Sequence, residues 1–205
     1  MRFFEICKGD DSGQIVSIKN QSGLDLFDST DIDFDNWQGA LFKASKKPLG
    51  DFLSTFIFYN VFSEKVILKC GDMLRKWGSL FEIIAHEDKN IKYYGYFARE
   101  LLAFDLVKSK PLFSPVQPSR ILGFFNFSYA DGIKGDEIFQ ALPLNKRTLY
   151  SEDFVRALYE TGAKGYYLNE WSDQEDSRKY IGADLLPITR TNQTMKRRAK
   201  PKTAL

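Results

Sequence analysis

The sequence predicts an α+β fold, with a mostly antiparallel sheet and two or three packed helices. Three observations support this fold class. Short apolar runs separated by polar turns recur along the 205 residues, as they do in antiparallel strands. Two stretches, 64–77 and 152–161, place apolar residues at helical spacing behind a serine. The hydrophobic content of 43% is enough for a core that needs no disulfide or metal.

The N-terminal third of the chain predicts strands and no membrane span. Apolar residues between positions 3 and 18 surround a Gly-Asp-Asp-Ser-Gly stretch, which predicts two short strands joined by a turn. The apolar run at 52–62 predicts a buried strand, because it is far shorter than the roughly 20 residues that cross a bilayer. The first residues, MRFFEICKGDD, lack the pattern of a secretory signal. We therefore expect a cytoplasmic protein with no membrane partner.

The two predicted helices begin in the same way. Ser63 precedes EKVILKCGDMLRKW, and Gly78 is placed to end that helix. Ser151 precedes EDFVRALYET, and Gly162 is placed to end the second helix. In both cases we expect the serine hydroxyl to accept a hydrogen bond from an amide of the first turn.

The remaining apolar runs predict further strands. The polar HEDKN sequence between two of these runs predicts a hairpin. Residues 99–107 predict either a short helix or an irregular edge, and the three prolines of residues 110–119 predict a loop. The predicted strands cover residues 80–85, 91–97, 120–129 and 163–171.

Charge is distributed unevenly along the chain. The net charge is +2, but residues 188–205 carry six basic residues and no acidic one, which leaves about −4 on residues 1–187. We predict a single α+β domain over 1–187 and a disordered basic tail over 188–205. The tail resembles a segment that contacts nucleic acid, but a domain with net negative charge is poorly suited to binding a polyanion. We expect no nucleic-acid partner, and an adaptor that binds nucleic acid through the tail is a third hypothesis.

Residue types that carry catalysis are sparse. The single histidine, His86, lies in the polar HEDKN turn, and the sequence contains no nucleophile elbow, P-loop or dinucleotide fingerprint. Cys7 and Cys70 are far apart and match neither a secreted disulfide framework nor a zinc site, so we expect two free thiols. We predict a protein that is not an enzyme and that binds no cofactor or metal.

Residues 24–37, which we call the acidic segment, interleave five aspartates with apolar and aromatic residues and contain no basic residue. Asp31, Asp33 and Asp35 would project from one face of a strand. A calcium loop would need glycine where Asn36 stands. The segment could face a cationic partner, supply the carboxylates of a metal-dependent hydrolase, or consist of turn formers and solubilising residues.

The candidate partner-binding residues come from the acidic segment and from a second acidic stretch near residue 171. Five like charges within eleven residues repel one another, and a cationic partner would relieve that repulsion. The candidates are Asp25, Asp28, Asp31, Asp33, Asp35 and Trp37, together with Trp171, Asp173, Glu175 and Asp176.

A family resemblance covers roughly residues 60–171. ILGFFNFSYADGIKG leads into DEIFQAL and then into LYSEDFVRALYETGAKGYYL, with FSEKVI and KYYGYFARELLAFDLVKSK upstream. This order resembles the immunity proteins of bacterial polymorphic toxin systems, a large family first catalogued as a domain of unknown function. The resemblance implies a cytoplasmic antitoxin that binds and occludes a cognate protein toxin, and it supplies no catalytic residues. It leaves the oligomeric state and the identity of the toxin open.

Overall fold

The structure is a computed structural model, and its described residues contain two helices and twelve strands. They cover most of the predicted domain and end before the predicted tail. The described residues are 1–9, 15–20, 26, 32–44, 49–53, 55, 58, 60–144 and 147–172.

Helices and strands follow one another in an irregular order, with each helix placed directly after a strand. The elements are β1 (Arg2–Lys8), β2 (Ile15–Asn20), β3 (Ala40–Ala44), β4 (Phe52–Leu53), β5 (Asn60–Ser63), α1 (Glu64–Trp77), β6 (Gly78–Ala85), β7 (Lys92–Leu102), β8 (Lys110–Phe113), β9 (Ile121–Asn126), β10 (Ile138–Leu142), β11 (Thr148–Ser151), α2 (Glu152–Glu160) and β12 (Tyr166–Ser172).

Ten of these strands form one sheet. Its main order is β12-β1-β11-β10-β7-β6-β3-β2, with β5 also paired to β7 and β4 paired to β5. The pairs β10–β7 and β3–β6 are parallel, and the other described pairs in this sheet are antiparallel. The α+β class is therefore confirmed, and the sheet is mixed. Strands β8 and β9 form a separate two-stranded sheet.

Both predicted helices are confirmed within one residue at each end. Gly162 follows α2 with a φ of +65°, the left-handed conformation that commonly ends a helix. The apolar faces of both helices pack against the sheet in one cluster, which we call the helix core. Its helical members include Val66, Cys70, Leu74, Phe154, Val155 and Leu158.

The two serines before the helices bond differently. Ser151 Oγ accepts a hydrogen bond from the Phe154 amide at 3.3 Å, as predicted. Ser63 has nearly the same extended backbone, but its Oγ donates to Asp51 Oδ1 at 2.8 Å and accepts no capping hydrogen bond. The predicted cap at Ser63 is therefore wrong: its hydroxyl is directed at the Asp51 carboxylate, and no amide of the first turn donates to it.

Three other predictions need correction. The run at 52–62 forms two antiparallel strands, β4 and β5, with Phe52 opposite Phe62. Strand β7 continues to Leu102, where a helix or irregular edge was expected, because it pairs with β10 there. The predicted proline loop contains β8, whose Pro111 is tolerated in a two-stranded sheet that has only edge strands.

The N-terminal strands are both present, but they do not pair with each other. Strand β1 lies between β11 and β12, whereas β2 lies at the other end of the sheet beside β3. Two further clusters extend the core toward these ends. The distal core includes Ile15, Ile18, Phe42, Phe58, Phe81 and Ile83. The arm core includes Phe3, Phe104, Phe124, Phe127, Phe139 and Leu149.

Candidate partner-binding surface

The described part of the acidic segment forms a turn. Asp33 accepts hydrogen bonds from the Asn36 side-chain amide at 2.7 Å and from the Asn36 backbone amide at 3.1 Å. These bonds hold the pKa of the Asp33 carboxyl below its usual value, the side-chain bond contributing most. Because the chain turns here, Asp33 and Asp35 do not project from one strand face as predicted, although both are exposed. Asp25, Asp28 and Asp31 lie outside the described residues.

Trp37 anchors this turn to the distal core. Its indole Nε1 donates to the Glu82 carbonyl oxygen at 2.9 Å. Its ring stacks on Phe34, with centroids 5.9 Å apart, and meets Phe58 and Phe81 edge-on. Trp37 is half-buried, and these contacts attach the turn to the distal core. Its role in binding a partner stays a prediction.

Trp171 has a similar anchoring position on β12. Its ring packs beside Phe104 and Phe127 of the arm core, and the Arg147 guanidinium lies 5.6 Å from its centroid. The Tyr129 hydroxyl donates to its carbonyl oxygen at 2.7 Å. Four strands separate β12 from β6, beside which Trp37 packs. The two tryptophans therefore belong to different clusters. Asp173, Glu175 and Asp176 lie outside the described residues.

The nucleophilic candidates are poorly suited to chemistry. Burial raises the pKa of the Cys7 thiol to about 12 and that of the Cys70 thiol to about 11, so both are neutral near pH 7. Both are free, as predicted. His86 is exposed, as predicted, beside a shallow pocket of about 30 Å³, which has room for little more than a water molecule.

Metal ligands do not converge within the described ranges. Among those residues, no group of three or more histidine, cysteine, aspartate or glutamate side chains could hold an ion. The hydrolase hypothesis depends on the acidic segment, of which Asp33 and Asp35 are described. Asp33 bonds to Asn36 within its own turn. We find no observation that favours this hypothesis over a binding role.

A group of exposed apolar residues on and around the two-stranded sheet was not predicted from the sequence. We call residues 102–126 the arm, which includes the end of β7, strand β8 and strand β9. Ten large apolar side chains are exposed among the described residues, and six of them are in the arm. The other four are scattered singly over the chain. The six are Leu102, Leu106, Val107, Phe113, Val116 and Leu122.

Ordered turns hold the most exposed of these side chains outward. Asp105 accepts hydrogen bonds from the backbone amides of Val107 and Lys108, at 2.9 and 3.1 Å. Ser114 Oγ accepts from the amides of Val116 and Gln117, at 3.2 and 3.1 Å. Val107 is 96% exposed and Val116 is 86% exposed, so neither contributes to the core. The backbone amides of both valines are hydrogen-bonded within these turns.

The arm rests on an aromatic base. Phe104 packs against Phe124 and Phe127, with centroids 4.7 and 5.2 Å apart, and all three are buried in the arm core. Two backbone hydrogen bonds, from the Asp105 amide to the Ser128 carbonyl and from the Ala130 amide to the Ala103 carbonyl, join the start of the arm to the chain just beyond its end. An available signal was the run FDLVKSKPLFSPVQP, in which apolar residues persist through a proline-rich stretch.

The described part of the chain contains no helix long and apolar enough to cross a membrane. No known family model matches the sequence, and a comparison with curated proteins gives no match either. The resemblance to the immunity proteins therefore stays a prediction.

Proposed function

We propose that this protein is an immunity protein that binds a cognate bacterial toxin in the cytoplasm and occludes it. The observation that carries the proposal is that six of the ten exposed large apolar side chains of the described residues fall within residues 102–126. Grouped apolar exposure marks surfaces that bind other proteins, whereas singly scattered apolar residues have no such meaning. The resemblance over residues 60–171 includes the arm and supports the same function.

The hydrogen-bonded turns of the arm suit an inhibitor that acts by occupying its target. An occluding protein gains affinity when its binding surface is already formed, because less conformational entropy is lost on association. The turns at Asp105 and Ser114 and the aromatic base below them provide such a surface. The neutral thiols of the partly buried Cys7 and the buried Cys70, together with the exposed His86, suit a protein that acts without chemistry.

Co-expression tests the proposal. The toxin domain encoded beside this gene is produced in a bacterial host with and without this protein, and growth is measured. We expect restored growth and a stable complex on size-exclusion chromatography. The control is a toxin from an unrelated system, against which we expect no protection. The proposal is wrong if both proteins accumulate and growth still stops, or if no toxin gene lies beside this one.

A further inference from the structure

We draw no further inference here: the strongest candidate, the group of exposed apolar side chains on the arm, belongs to the surface already described, and nothing in the part of the chain that the structure describes shows what covers it.

Discussion

The helix side of the molecule, by which we mean α1 and α2, differs from the arm in the kind of residue that it exposes. On α1 most of the exposed charges are paired within the chain, as in Lys69 with Glu160 at 2.9 Å and Lys76 with Asp136 at 2.8 Å. The apolar residues of α1 are buried or partly buried, apart from the exposed Leu68. On the arm, six large apolar side chains face solvent. The exposed charges of the helix side are thus mostly neutralised by partners in the same chain, whereas the arm exposes apolar surface that is available to another molecule.

The helix side also shows how tertiary contacts override a local signal. The sequences around Ser63 and Ser151 are alike, and their backbone angles agree to within a few degrees (ψ 157° and 159°). Only Ser151 caps its helix through its side chain. Asp51 redirects the Ser63 hydroxyl and also accepts a hydrogen bond from the Lys164 amide at 2.9 Å. Asp51 thereby joins the start of α1 to the chain that follows α2.

Removing Asp51 should have the largest effect on stability. Asp51→Ala breaks the bonds to Ser63 Oγ and the Lys164 amide, and hydrogen bonds to a charged group contribute about 1.5–3 kcal/mol each. We expect the free energy of unfolding in urea to fall by about 2–4 kcal/mol, less than the sum of two such bonds because the bond to the Lys164 amide is exposed to solvent. The control is Asp72→Ala, which removes a fully exposed carboxylate paired to Arg75 on α1. Equal, small losses for the two variants would show that Asp51 does not tie the helices together.

A smaller effect should distinguish the two serines. Ser151→Ala removes a buried cap and should lower the free energy of unfolding by about 1 kcal/mol. In double-mutant cycles, Ser63→Ala should couple to Asp51→Ala because the two residues share a hydrogen bond. Ser151→Ala should be additive with Asp51→Ala. Coupling of Asp51 to Ser151, or additivity of Asp51 with Ser63, would contradict the account, in which Ser63 bonds to Asp51 and Ser151 caps its helix.

Alkaline pH should weaken the fold modestly. Burial raises the pKa of Cys7 to about 12 and that of Cys70 to about 11, from 9.0 for an exposed thiol. The unfolded chain therefore loses its thiol protons at lower pH than the folded chain. The resulting stability is complete below pH 9 and is lost as the pH rises toward 11–12. Urea unfolding at pH 8 and pH 10 should show this decline, and Cys7→Ala with Cys70→Ala should reduce it. An identical decline in that variant would assign the effect to other groups.

The sequence predicted the parts of the fold that local signals determine. Helices α1 and α2 follow from apolar spacing and their flanking serines and glycines, and the β6–β7 hairpin from a polar turn between apolar runs. Strand β8 was not predicted because Pro111 disfavours a strand locally. In the fold, pairing with β9 forms the strand nevertheless. The pairing of β1 with β12 joins opposite ends of the described chain, which no local pattern encodes.

The candidate surface was less predictable for the same reason. The period-two spacing around Asp33 suggested a strand, but its side chain bonds to Asn36 and closes a turn. Apolar residues such as Val107 and Val116 look like core residues in a sequence. Their exposure appears only when the turns at Asp105 and Ser114 are placed in the fold.

Hydrogen exchange of the protein with and without the toxin domain tests the central claim, that the arm is the binding surface, most directly. The account predicts slower exchange of the backbone amides within residues 102–126 in the complex. Amides of α1 and α2 should exchange at the same rate in both samples, because the exposed charges of the helix side already have partners within the chain and the toxin does not cover them. Slower exchange in residues 24–37 or on α1, with the arm unchanged, would contradict the account and move the interface to that surface.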